Sequence, residues 1–364
     1  MPSWPLSILD VHLNERPDPD EFVQAAMQWH FGPETGSRFW LQRARSLAFD
    51  PRTDVKSLAD LSLFPNVTNE LRDVPVRDLV PRGYGPSPQI VGIYESGGTT
   101  GAPKRVVLLR DWLEKLLPGT SASLDRFGVA SGVDWLFVAP SGPHGVGEVM
   151  GCVVASRGGI KFTVDMDPRW VKKLTTAGRA EESIAYVDHL IEQAAFTLRT
   201  QNVGVLMSTP PILARLTRND EVAELIRQKV RTILWGGARM DPEDHEVIQK
   251  AFPRSTLVGF FGNTMFLASL LQRSAGDDGR CIFDSLTPWI TFCVVDPQTG
   301  APVSYENRGQ VVTHHVTRSF LLPNNLERDM AARLPSPRGA AGDSIVDVAP
   351  VNSFDGVAVV EGLY

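Results

Sequence analysis

Apolar and polar positions repeat with two periods along this chain, and the switches between them predict its elements. Over residues 20–48, Phe22, Ala25, Ala26 and Trp29, then Phe39, Ala44 and Leu47, recur at the spacing of helix faces. The next stretch, "DVKSLADLSLFPNVTNELRDVPVRDLVPRG", is punctuated by Pro and Asp. "QIVGIY" and "VVLLR" are rich in β-branched and aromatic residues and predict two strands around a glycine-rich loop. Helices and strands then alternate: helix 110–127, "DWLFVAP", a helix from Gly147, "IKFTVD", helix 180–200, "VGVLMST", a helix from Pro210, "RTILWGG", helix 241–251 and "TLVGFFG". Such alternation predicts an α/β fold with mostly parallel sheets. After about residue 285 the helical pattern stops, and "WITFCVVDPQTGAPV" and "RGQVVTHHV" read as strands joined by a PQTG turn. The division expected is two α/β subdomains within 1–284 and a small β-rich subdomain over 285–364.

The loop between the first two strands, "YESGGTTGAPKRVVL" at 94–108, carries the most chemistry. Gly97, Gly98 and Gly101 permit backbone conformations that let successive N–H groups converge on an anion. Ser96, Thr99 and Thr100 add hydroxyl donors, and Lys104 adds a mobile positive charge. The string predicts a phosphate cradle, as opposed to a bare glycine-rich hairpin. It is not a Walker loop, because Pro103 precedes Lys104 and a strand, not a helix, follows. In "ILWGGARMDPED" a buried strand ends in Gly236 and Gly237, and a helix starts near Asp241 with Pro242 at its first position. This is a place where parallel sheets present ligands. In "APSGPHGVGEV", His144 falls on a loop after a strand, open equally to a substrate contact and to a structural role. His314 and His315 are neighbours on a strand, face opposite sides, and receive no role.

The 94–108 loop matches the pattern [STG]-[STG]-G-[ST]-[TSE]-[GS]-x-P-K, so the chain resembles the acyl-adenylate-forming (AMP-binding) ligases. Its helical opening segment is similar to that of the phenylacetate–CoA ligase branch. The resemblance implies that Ser96, Gly97, Gly98, Thr99, Thr100, Gly101 and Lys104 hold the β,γ-phosphates of ATP, and that Gly236, Gly237 and Ala238 hold adenine. "GFFGNTMF" resembles the family's Tyr-Gly-x-Thr-Glu motif. It implies that Phe261 stacks on adenine beside Gly262 and Asn263, and that Thr264 steadies the α-phosphate, with Thr264 and Lys104 as the catalytic pair. Met265 stands where the family's Mg²⁺-holding Glu stands, and a thioether is a poor ligand for so hard a cation, so no metal ligand is assigned. Asp343, in "AAGDSIVDV", resembles the aspartate that grips both ribose hydroxyls, with Gly339 and Ala341 where Tyr and Thr are usual. His144, Gly145, Trp235 and Phe260 are the implied acyl pocket, whose aromatic surface suits a flat aromatic acid. The family's C-terminal lid would follow the ribose aspartate, and the chain stops at "VVEGLY". The resemblance therefore implies the large N-terminal part of the fold without a lid, as in the adenylating proteins of phenazine-antibiotic (griseoluteate-type) pathways. It implies ATP and Mg²⁺ as cofactors and an aromatic carboxylic acid as substrate. A non-catalytic AMP- or acyl-adenylate-binding protein, or half of a CoA ligase completed by a partner chain, are the alternatives.

Composition narrows the field. The 364 residues carry a formal charge of −6, which argues against nucleic-acid binding and a basic membrane-facing surface. "MPSWPLSILDVHLNERPD" lacks the basic start and apolar core of a signal peptide, and "GFFGNTMFLASLL" is too short to span a bilayer. Cys152, Cys281 and Cys293 lie far apart, as buried thiols of a reducing cytoplasm would. A homodimer or a downstream acyl-acceptor enzyme completes the expected partners.

Overall fold

A computed structural model describes residues 6–97, 102–274 and 280–351, together with the backbone of 353–354 and 357–358. The chain opens with α1 (Pro19–His30), α2 (Arg38–Arg43) and α3 (Pro51–Asp54), followed by short 3₁₀ turns to Tyr84. Asp18 starts α1 by accepting hydrogen bonds from the Asp20 and Glu21 amides, with Pro19 at the first helical position. β1 (Ile90–Glu95) and β2 (Arg105–Leu109) pair antiparallel across the glycine-rich loop, whose Gly98, Thr99, Thr100 and Gly101 lie outside the described residues.

The alternating part follows as α4 (Arg110–Arg126), β3 (Asp134–Ala139), α5 (Gly145–Ser156), β4 (Lys161–Asp165), α6 (Pro168–Thr176), α7 (Ala180–Thr200) and β5 (Val203–Ser208). It continues with α8 (Pro210–Leu216), α9 (Asp220–Lys229), β6 (Thr232–Trp235), α10 (Pro242–Ala251), β7 (Thr256–Asn263) and β8 (Ala268–Leu271). Six strands form one sheet in the order β4-β3-β5-β6-β7-β8, with only β7 and β8 antiparallel. Strand periodicity sorts its side chains. Leu136, Val138, Leu206 and Ile233 pack on one face with α7–α9, and Trp135, Phe137, Val205 and Leu234 pack on the other with α5.

β9 (Ile282–Asp284), β10 (Ile290–Val295), β11 (Arg308–Val316), β12 (Leu321–Pro335) and β13 (Asp343–Pro350) form an antiparallel sheet in the order β10-β11-β12-β13-β9. A further pairing of Phe292 with Asp343 curls it back on itself. The hairpin of β14 (Ser353–Phe354) and β15 (Val357–Ala358) follows. Neither β12 nor β13 follows from the apolar pattern, because polar and charged residues interrupt both.

The first helices are fastened to the far end of the chain. Trp29 Nε1 donates to the Arg318 carbonyl at 2.8 Å, Trp40 Nε1 to the Leu321 carbonyl at 3.0 Å, and Asn324 Nδ2 to the Phe64 carbonyl at 2.6 Å. His30 Nε2 lies 2.7 Å from the Thr317 carbonyl. Beneath these bonds one apolar core joins Phe22, Trp40 and Phe64 to Trp289, Phe292 and Leu322. Among the described residues no helix is long and apolar enough to cross a membrane.

Candidate active site

Parallel strands end on one side of their sheet, and there the helices that follow leave a gap. Beyond the C-terminal ends of β3, β5, β6 and β7 lies a cavity of about 1160 Å³, walled on its other side by β12 and β13. Ser96, Gly97, His144, Gly145, Trp235, Gly236, Gly237, Ala238, Phe260, Phe261, Gly262, Asn263 and Thr264 all line it. Residues up to 168 positions apart in sequence are thus brought to one space.

The apolar wall is formed by Val149, Met207, Trp235, Phe260 and Ala268. His144 immediately precedes α5 and is 8% exposed. Burial, and then the charge of Arg169, lower its pKa, so the ring is neutral near pH 7. Trp235 Nε1 is buried without a hydrogen-bond partner. Next to it the β6–α10 turn runs against bare backbone. A Cβ on Gly236 would stand 2.5 Å from the Phe260 carbonyl, and Gly237 has φ +79°.

Glu95, at the end of β1, ties the parts together. Its carbonyl accepts from the Thr264 hydroxyl at 3.3 Å, and its backbone also bonds the His144 ring. Its amide donates to the Pro143 carbonyl at 2.7 Å. Its carboxylate meets Arg105 at 2.9 Å and Arg169, on α6, at 2.7 Å. The end of β1 is therefore fastened to the His144 loop, to the Thr264 segment and to α6. Past Glu95, Ser96 and Lys104 close the loop by two mutual hydrogen bonds, both 3.0 Å. Lys104 itself is absent from the cavity lining, and its charge acts on buried Glu327 behind Asn263.

Asp343 is the correction. It is 3% exposed, lies off the cavity, accepts from Arg333 Nε at 2.9 Å and from the Val294 amide at 3.1 Å, and so fastens β13 to β12 and β10. A carboxylate spent on two internal donors is not available to a ribose. Its weak surroundings in sequence, Gly339 and Ala341, agree with that outcome. The cavity carboxylates are instead Asp329 on β12 and Asp347 on β13. Asp347 is engaged by Arg280 at 3.2 Å, and Arg308 donates to its carbonyl at 2.9 Å. Asp329 has its pKa raised by burial, with Arg328 pulling it back. The signal for Asp329 was the charged triplet Glu327-Arg328-Asp329 inside the otherwise alternating run "LLPNNLERDMAARL". Charges inside a strand invite a question about what they face.

Met265 is 4% exposed, packs into the core with Phe266 and Leu267, and stays off the cavity. That position does not fit a Mg²⁺ ligand. Among the described residues no group of three or more His, Cys, Asp or Glu side chains is placed to hold a metal ion. The thiols of Cys281 and Cys293 are pushed up to about 11, mainly by burial.

No protein-family model matches the chain, and no curated protein does. Solved structures do. An open conformation of 2-hydroxyisobutyryl-CoA ligase in complex with 2-HIB-AMP and CoA superposes with TM-score 0.61 at 15% identity, over 98% of this chain and 85% of that one. The same ligase in its thioesterification state gives 0.60 at 15% identity, over 91% of this chain and 67% of that one. The chain has the fold of the adenylate-forming ligases. A largely parallel α/β sheet and a separate antiparallel sheet are both present, as the α/β reading of the sequence expects. ATP-bound MatB from Rhodopseudomonas palustris is also similar, at TM-score 0.49 and 18% identity, over 72% of this chain and 48% of that one.

Proposed function

We propose that the chain activates a carboxylic acid by adenylation. A carboxylate oxygen attacks the α-phosphorus of ATP, a new P–O bond forms, the bond to the leaving oxygen breaks, and pyrophosphate departs. The observation that carries this reading is the single cavity in which a glycine turn, Thr264 and Asp329 lie beside the apolar wall around Trp235. A nucleoside phosphate and an acyl group would meet there. Both reactants are anions, so the work is alignment and charge screening.

The residues fit a nucleotide. Gly236, Gly237 and Ala238 offer backbone to the adenine edge, and Phe261 a ring to its face. Asp329 offers a carboxylate that can accept from two ribose hydroxyls. Thr264, held by Glu95, lines the cavity and would steady the α-phosphate. Ser96 and Lys104 close the loop where the β,γ-phosphates would lie.

The acid we propose is aromatic, because Trp235 and Phe260 offer flat surfaces and His144 is neutral. A phenazine-type carboxylate has such a flat ring system, and Met265 in place of the family's Glu supports placing the chain beside the phenazine-antibiotic adenylating proteins. Acid-dependent exchange of pyrophosphate into ATP over a panel of aromatic acids tests this. Exchange with aliphatic acids alone would remove the aromatic assignment, and no exchange with any acid would remove adenylation. A second reading, binding of AMP or an acyl-adenylate without turnover, is favoured by buried Met265 in place of an oxygen ligand. Tight AMP binding with no exchange would support it.

A further inference from the structure

Glu327 lies one layer behind the cavity and is 5% exposed. Its carboxylate accepts from Asn263 Nδ2 and Asn325 Nδ2, both at 2.5 Å, and from the Thr313 hydroxyl at 2.9 Å. Asn263 is thereby held at both ends of its amide, because its Oδ1 accepts from the Met265 amide at 2.8 Å. Asn263 lines the cavity between Gly262 and Thr264. On the other side, the Asn325 side-chain Oδ1 accepts from the Thr68 hydroxyl at 2.5 Å. A continuous polar chain thus runs from the N-terminal segment to the cavity wall, with one carboxylate at its centre.

The charges around that carboxylate are Asp329 and Arg328 on its own strand and Lys104 from the phosphate loop. The groups touching it from β7 and β11, Asn263 and Thr313, are uncharged. Burial, then Asp329, push Glu327 up to about 7, while Thr313, Lys104 and Arg328 hold it back.

We propose that Glu327 is the positioning residue of the nucleotide site, fixing Asn263 and taking up a proton when a triphosphate draws the Lys104 charge to itself. This rests on the adenylation reading for the presence of a triphosphate. Without ligand, Lys104 favours the ionised carboxylate. When phosphates engage Lys104 and bring their own negative charge, the ionised form loses its counter-charge inside the protein. Protonation then relieves the repulsion, and the acid proton turns toward the Thr313 oxygen, whose own hydroxyl can rotate. AMP, which lacks the terminal phosphates, leaves Lys104 with Glu327.

If the protonated form is favoured about tenfold in the complex, about half a proton is taken up per ATP at pH 7.5. Between pH 7 and pH 8.5 ATP affinity then falls by about fourfold. The test is titration calorimetry of Mg·ATP and of AMP, at pH 7.5, in buffers of different ionisation enthalpy. The expected result is more proton uptake with ATP than with AMP, and loss of the difference in Glu327→Gln. Should that variant fail to fold, the ATP–AMP contrast in the unmodified chain still decides. Equal uptake with both nucleotides, or an unchanged contrast in Glu327→Gln, overturns the inference alone. No ATP binding at any pH overturns the adenylation reading, and the inference with it.

Discussion

Replacing Gly236 by Ala tests whether the β6–α10 turn seats the nucleotide. The new Cβ would lie 2.5 Å from the Phe260 carbonyl and 2.8 Å from its ring, and ordinary contact begins at 3.4 Å. Clearing the carbonyl needs a displacement of 3.4 − 2.5 = 0.9 Å between the turn and β7. Both flanks belong to the cavity wall, so the shift moves the adenine seat against the acyl wall. Misplacement by about 1 Å costs about a hundredfold in rate when reactants must be aligned. Overpacking costs about 1–3 kcal/mol of stability besides. Gly159→Ala is the control, since its Cβ would lie 2.1 Å from the Val133 carbonyl, just ahead of the N-terminal end of β4 and away from the cavity. The assays are acid-dependent pyrophosphate exchange, AMP calorimetry and thermal melting of both variants. Gly236→Ala should lose exchange and AMP affinity, and Gly159→Ala should lose melting temperature alone. Full AMP affinity and exchange in Gly236→Ala would refute the assignment of the turn to adenine.

Asp329→Asn should weaken AMP roughly ten- to a hundredfold by removing a charged acceptor, whereas Asp343→Asn should lower the melting temperature with AMP affinity kept; calorimetry and melts separate them. Lys104→Ala should weaken ATP more than AMP, read by the ratio of the two dissociation constants. Trp235→Ala should reduce affinity for aromatic acids by about 0.5–1.5 kcal/mol beyond lost burial, and unchanged affinity with a large melting drop would make Trp235 a packing residue. His30 and His314 are held near 4 and His315 near 3, chiefly by burial. The unfolded chain binds more protons between these values and 6.5, so stability falls as pH drops from 6.5 toward 4, by roughly 2 kcal/mol per histidine at pH 5. Denaturant midpoints should fall accordingly across that range, and His315→Gln should flatten the fall.

Much of the α/β part was readable because its signals are local. α4 and α7 match their expected ranges, 110–127 and 180–200, almost to the residue. α6 went unread: Trp170, Lys172 and Lys173 blur its short apolar face, Val171 and Leu174. In the β-rich part polar residues are buried in pairs, as Thr313 and Asn325 are around Glu327, and the two-residue period carries no hydrophobic mark there. For the same reason Asp343 and Asp329 look alike in one dimension. Which one faces the cavity is decided by Arg333 and the Val294 amide, partners 10 and 49 positions away from Asp343.

The bonds from Trp29 and Trp40 to residues 318 and 321 bear on how the chain is made. Trp40 waits for a partner 281 positions later. At synthesis rates of about 5–20 residues per second, that is roughly 15–55 s during which the faces of α1 and α2 have no lid of their own. Phe22, Phe31, Trp40 and Phe64 all belong to that interval. The nascent chain therefore presents a sticky aromatic surface well before its central sheet is complete, and holding chaperones have a natural first grip on this protein at its N-terminal helices. Release would come only when the Thr317–Leu321 turn emerges and docks.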